Sequence, residues 1–146
     1  MSAAIDPNSF GFLITDLSRL IRAEMDRRIS EAGLGLTPGE SRTLAHAARA
    51  GVVRQNVLAE RIGIEAMTLS TYIDRLETKG LVERVPDPND RRAKLVRLTE
   101  AASEVLGSVN AAAASIRSDA AASMDAADWA VLLRLLRQAR DNLAEL

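Results

Sequence analysis

The chain has 146 residues, a mass of 15.7 kDa, no cysteine and a formal net charge of -1, which suits one domain or two small lobes sharing a core. At 47% hydrophobic and 27% charged it has the apolar material to fold, yet no apolar run approaches the roughly 18 to 20 residues of a membrane span. The stretch Met1 to Ser9 lacks the basic and apolar regions of a secretory signal, so a cytoplasmic protein without membrane contact is expected. Without cysteine there is no disulfide framework, thiolate metal site or thiol redox sensor. A single histidine, His46, argues against a catalytic triad or a multi-histidine metal site, and no metal or cofactor is expected.

Charge is unevenly placed. Residues 1–53 hold six basic and six acidic side chains, residues 54–98 nine and seven, and residues 99–146 four and seven. Within 84–97 five basic residues (Arg84, Arg91, Arg92, Lys94, Arg97) face two acidic ones (Asp87, Asp90). Distribution matters more than total charge for nucleic-acid binding.

In chain order, apolar residues at Phe10, Leu13, Ile14, Leu17, Leu20, Ile21, Met25 and Ile29 have helical spacing. Asn8 or Ser9 can cap this helix, and Gly33 and Gly35 end it. Thr37-Pro38-Gly39-Glu40 is a capping-box start for a helix to about Ala50, stopped by Gly51. Val52 to Arg54 is at most a strand stub. Short helices are expected over Asn56 to Ile62, closed by Gly63, and over Ala66 to Lys79, closed by Gly80. Leu81 to Val85 and Lys94 to Leu98 read as strands joined by a long basic tip, Pro86 to Arg92. Thr99-Glu100 opens a helix to about Ser123 that includes the alanine-rich run Ala111 to Ala122, and Asp125 caps a last helix striped by Trp129, Leu132, Leu133, Leu136 and Leu143.

Ala59 and Gly63 supply the small crossing residue and the left-handed turn that a helix-turn-helix needs, with Leu69 as the apolar anchor. An ordinary helical corner fits the same spacing. The hairpin that follows distinguishes the two, because it makes a wing whose Arg91 and Arg92 suit a minor groove. The fold class is therefore mainly α (α+β): a winged helix-turn-helix over residues 36–98, with long terminal helices, 1–35 and 99–146, whose surplus apolar surface either enlarges a monomeric core or, the preferred reading, forms a dimerisation region. A dimer would set two recognition helices about 34 Å apart, matching a palindrome. On the second helix Thr68, Ser70, Thr71 and Arg75 can face the major groove while Leu69, Ile73 and Leu76 pack inward. Met67 is either a base-methyl contact or a core plug. Glu65 suits the positive helix end but would repel a phosphate there.

The run Leu76-Glu77-Thr78-Lys79-Gly80-Leu81-Val82-Glu83-Arg84, the wing residues Asp90-Arg91-Arg92 and the run Leu98-Thr99-Glu100 resemble the MarR family of bacterial transcriptional regulators. Asp74-Arg75-Leu76-Glu77 and Thr37-Pro38 are also similar, and the likeness extends from about Phe10 to Leu143. The resemblance implies a homodimer that binds double-stranded DNA at a palindromic operator, usually as a repressor. It also implies release by a small ligand, often an aromatic acid, bound between the dimer helices and the winged lobe. It implies that Asp90 orients Arg92 and that Arg91 or Arg92 enters the minor groove, with Asn89 beside them in the wing. Ala102 stands where the family often has glycine, which predicts a straighter start to the helix after Thr99.

For an acidic effector, Arg19, Arg22 and His46 are the weak candidates; surface pairing for the arginines and simple packing for His46 are the plainer readings. Trp129 reads as core or dimer packing ahead of a ligand wall. The alternative function is a winged-helix protein-interaction module without sequence-specific DNA binding, against which the retained Arg91 and Arg92 count. No nucleophile-base pair, Gly-rich phosphate loop or metal constellation is present in the sequence, so an enzyme is not expected.

Overall fold

The computed structural model describes residues 3–146; Met1 and Ser2, the start of the stretch read for a secretory signal and of the first helical region, lie outside it. Two compact units emerge, Met1–Ala113 and Ala114–Leu146. The described elements are α1 (Phe10–Glu31), α2 (Pro38–Ala50), β1 (Val53–Arg54), α3 (Gln55–Ile62), α4 (Ala66–Thr78), β2 (Val82–Asp87), β3 (Asp90–Leu98), α5 (Ala102–Ala120) and α6 (Ala126–Ala144). No described helix is long and apolar enough to cross a membrane.

The first unit is a winged helix-turn-helix with α1 and the start of α5 attached. Helix α2 begins as expected: Thr37 Oγ1 accepts from Glu40 N–H at 3.2 Å, and Glu40 Oε2 accepts from Thr37 N–H at 3.0 Å. Such a cap contributes about 1 kcal/mol. Gly63, at φ 78°, takes the left-handed turn between α3 and α4; its N–H and that of Ile64 return to the Ala59 carbonyl at 2.9 and 3.1 Å. The periodicity of α4 puts Leu69, Ile73 and Leu76 on one face, and they are buried with Leu44, Leu58, Val82 and Val96.

The sheet is antiparallel in the order β1-β3-β2, with Val53 opposite Val96 and Val82 opposite Leu98. Here the structure departs from the expectation of a long loop. Pairing continues to Asp87 opposite Asp90, leaving only Pro88 and Asn89 as the turn. The register irregularity at Pro86/Asp87 is where a residue without an N–H is tolerated in a strand. Asp87 then closes the turn by accepting from Asn89 N–H at 2.9 Å. Arg91 and Arg92 consequently sit on a strand.

Neither expected cap of α1 works through its side chain. Ser9 occupies the N-cap without a side-chain bond, while the Asn8 main-chain N–H donates to Asp6 Oδ1 at 2.9 Å. Ile29 of α1 packs with Val109 and Ala112 of α5 in a small second cluster. The other apolar residues of α1, from Phe10 to Ile21, stay exposed in the single chain.

The second unit holds the last turns of α5 and all of α6. Helix α5 stops at Ala120, three residues short of the expected end, and Ser123 adopts a left-handed φ of 74°. Asp125 caps α6, accepting from Asp128 N–H at 2.7 Å. No residue of α6 is buried, and Val131, Leu135 and Leu143 are exposed.

Candidate nucleic-acid interface

The outward face of α4 is built by subtraction. With Leu69, Ile73 and Leu76 inward, Met67, Thr68, Thr71 and Arg75 are left exposed. Met67, at 83% exposure, plugs nothing. Ser70 is partly buried and differs from its neighbours, since its hydroxyl and carbonyl both accept from Arg84 Nη2, at 3.3 and 3.1 Å.

Arg84 holds α4 to the hairpin. Its side chain is 17% exposed. Nε donates to Gln55 Oε1 of α3 at 2.9 Å. Nη1 lies 2.7 Å from Asp74 and 3.3 Å from Glu77, and Glu77 Oε2 also accepts from Arg84 N–H at 3.1 Å. One guanidinium thus ties α3, α4 and β2 together through its planar fork. Sequence reasoning gave Arg84 no structural partner. A usable signal existed: Arg84 shares strand parity with the core residue Val82, and a charged residue at such a position needs partners.

A second tie fixes the far end of α4. Lys79 Nζ donates to Glu40 at 2.9 and 3.0 Å and to the Gly35 carbonyl at 2.8 Å. Burial alone would raise the Glu40 pKa, but the Thr37 N–H and the Lys79 ammonium outweigh it, so the carboxyl lies below its ordinary range. Where α2 crosses α4, Gly39 lies against the Tyr72 ring so closely that a Cβ would sit 2.3 Å from Cζ.

At the wing, Arg54 Nε donates to the buried Asp87 Oδ2 at 2.6 Å. The Asn89 N–H first, then Arg54, hold the Asp87 carboxyl below its usual range against the cost of burial. Asp90 Oδ1 accepts from the Arg92 main-chain N–H at 3.0 Å. The aspartate therefore shapes the strand start through the backbone, and Asn89, Asp90, Arg91 and Arg92 are all exposed.

Pairing redistributes the positive charge. Arg84 is neutralised as above and Arg97 pairs with Glu83. Among the described residues, no ion pair engages Arg91, Arg92 or Lys94. Arg92 and Lys94 open onto a cavity of about 360 Å³, shared with Arg54, Gln55, Asn56, Ala66, Asp90 and Ala93. The starts of α3 and α4 and the wing thus meet in one cationic cleft. Arg54, Gln55, Asn56 and Lys94 were not singled out as site residues from the sequence, because the cleft exists only once β1 pairs with β3.

Of the ligand candidates, Arg19 stands exposed, 3.9 Å from Asp16. His46 is partly buried on α2 beside a cavity of about 290 Å³ shared with Arg49, Ala50 and Arg61. Burial first, then the guanidiniums of Arg49, Arg22 and Arg42, push the His46 pKa down. The Arg22 charge thus reaches His46. No group of three potential metal ligands occurs among the described residues.

A profile of the MarR family matches residues 34–93. Among solved structures, the chain is similar to the transcriptional regulator PA3341 at 37% identity, covering 94% of this chain and 100% of that one, with a TM-score of 0.78. A mutant MarR from E. coli complexed with operator DNA is 25% identical, covers 88% of this chain and 91% of that one, and has a TM-score of 0.69. The PcaV transcriptional regulator from Streptomyces coelicolor, in complex with its natural ligand, is 26% identical over 96% and 98% of the two chains, with a TM-score of 0.69.

Proposed function

Since the chain belongs to the MarR family of transcriptional regulators, we propose that it is a homodimeric repressor that binds a palindromic operator and is released by a small acidic ligand. The observation that carries this reading is the cationic cleft where the starts of α3 and α4, at Gln55, Asn56 and Ala66, meet Arg92 and Lys94 of the wing, beside the exposed Met67, Thr68, Thr71 and Arg75 of α4. In this reading Thr68, Thr71, Arg75 and Met67 face the major groove, and Ser70 serves by holding Arg84. Arg91 and Arg92 enter the minor groove, with Asn89 and Asp90 setting the turn. Operator DNA in the E. coli MarR complex supports this use of the fold.

Residues 1–35 and 99–146 form the dimerisation region, and residues 36–98 the DNA-binding lobe. Support comes from the apolar side chains of α1 and α6 that a single chain leaves exposed. A buried apolar face stabilises by about 25 cal/mol per Å², and contiguous exposed faces of this kind mark interaction sites. Support for control by an acid comes from the guanidiniums of Arg49 and Arg22 near His46, which enter no ion pair among the described residues, and from the ligand-bound PcaV structure. Such a ligand acts only through its preference for the state that cannot span two half-sites. A regulator of this kind works in the cytoplasm.

The test is to select duplexes from a random pool, then titrate the selected sequence at several salt concentrations. Expected are an inverted-repeat consensus, a dimer by light scattering, and affinity that falls steeply with salt as counterions are released. A lone 15.7 kDa particle that retains no duplex at low salt overturns the proposal.

A further inference from the structure

We propose that Met67 and Thr71 form a methyl-reading patch on the recognition helix, selecting thymine in the operator half-site through its 5-methyl group. The inference rests on the DNA-binding reading above and names the specificity of that same surface.

Two observations carry it. Met67 is 83% exposed, and the core beneath the turn is complete without it, since Leu58, Ala59 and Leu69 are buried there with Ile62 and Ile64 packed against them. An unbranched thioether held in water at the second position of α4 contributes nothing to the fold. Thr71 looks polar in sequence but is not so in place. Its Oγ1 donates to the Met67 carbonyl at 3.1 Å, so its only proton is committed inside the helix. With the hydroxyl turned to the backbone, the other branch at Cβ, the methyl, is what the exposed side chain presents.

Residues four apart lie one above the other on a helix, so the Met67 thioether and the Thr71 methyl make one apolar strip. Thr68 provides the contrast: it makes no hydrogen bond among the described residues and keeps its hydroxyl for a base or phosphate. The N-terminal residues of a recognition helix are those that meet base edges. In the major groove the thymine 5-methyl is the apolar group available to such a strip, and a polarizable thioether adapts to it.

The experiment uses the full-length protein and the operator selected as above. Each half-site thymine is replaced in turn by deoxyuridine, which removes the methyl and keeps every hydrogen-bonding group. Burying one methyl corresponds to about fourfold in affinity, or about fifteenfold when both half-sites of a dimer are changed. Wild type should show that loss at one or two thymines per half-site, Met67→Ala should abolish it at one of them, and Thr71→Ser should abolish it at one. Met67 is exposed, so the melting temperature of Met67→Ala should match wild type. Indifference of wild type to deoxyuridine at every half-site thymine overturns the inference, as does undiminished sensitivity in both variants. If no duplex is selected at all, the regulatory reading fails first, and this one with it.

Discussion

Replacing Arg84 by methionine keeps the length and apolar stem of the side chain and removes the guanidinium that joins α3, α4 and β2. Two kinds of contact are lost. The bonds to Gln55 Oε1 (2.9 Å) and to the Ser70 carbonyl (3.1 Å) are partly buried, and each contributes about 1 to 1.5 kcal/mol net. The carboxylates of Asp74 and Glu77 are 66% and 44% exposed, so solvent screening leaves each ion pair with only a few tenths of a kcal/mol. The expected loss is therefore about 2 to 4 kcal/mol. At about 3 °C per kcal/mol for a chain of this size, the melting temperature should fall by roughly 6 to 12 °C, at a fixed protein concentration because a dimer's stability depends on it. Urea unfolding should give a lower midpoint with an unchanged slope. Operator affinity should fall as well, under conditions where the variant is folded, because the wing loses its tie to α4. Arg84→Lys should recover less than half of the stability, since an ammonium cannot make the fork. A methionine variant within about 0.5 kcal/mol of wild type, with unchanged operator affinity, would refute the idea that this guanidinium couples the two reading elements.

Arg91→Ala and Arg92→Ala should each weaken operator binding by roughly 1 to 3 kcal/mol with no change in melting temperature, because both are exposed on the wing; gel shifts alongside thermal melts check this. Gly39→Ala should destabilise by about 1 to 3 kcal/mol, because the new Cβ would meet the Tyr72 ring at 2.3 Å, and a double-mutant cycle with Tyr72→Leu should recover most of the loss. Leu17→Glu, placed in the exposed stripe of α1, should turn a dimer into a monomer in light scattering. Acid should destabilise in two stages. The folded pKa of His46 is depressed, so the unfolded chain takes up its proton first and stability falls as pH drops below about 6.5. The folded pKa of Glu40 is also depressed, so its contribution is intact above about 4.3 and is lost as pH falls further. His46→Gln should remove the first stage in urea titrations across pH and leave the second.

Local chemistry was written plainly in the chain. The Thr37/Glu40 box, the left-handed Gly63 and the inward trio Leu69, Ile73 and Leu76 depend on neighbours within a few residues, and each stands where the residue pattern puts it. The exposed positions of Thr68, Thr71 and Arg75 on α4 followed from the same periodicity, whereas Ser70, expected beside them, is partly buried against Arg84. What pattern alone could not supply was every property that depends on which distant groups meet. Arg84 and Lys94 are both simply basic in sequence, yet 29 residues from Arg84 along the chain Gln55 takes its guanidinium, while Lys94 remains without an ion pair among the described residues. The wing shortened to a two-residue turn because Asp87 meets both Arg54 and the Asn89 amide, a contact spanning 33 positions. Thr71 changed character for a nearer reason, a hydroxyl free to choose between water and the carbonyl one turn back. Helix starts, turns and buried faces are decided by backbone geometry over short stretches. Which charges are cancelled and which reach a partner is decided by tertiary packing, because an ion pair forms only where the folded chain brings both ends within a few ångströms.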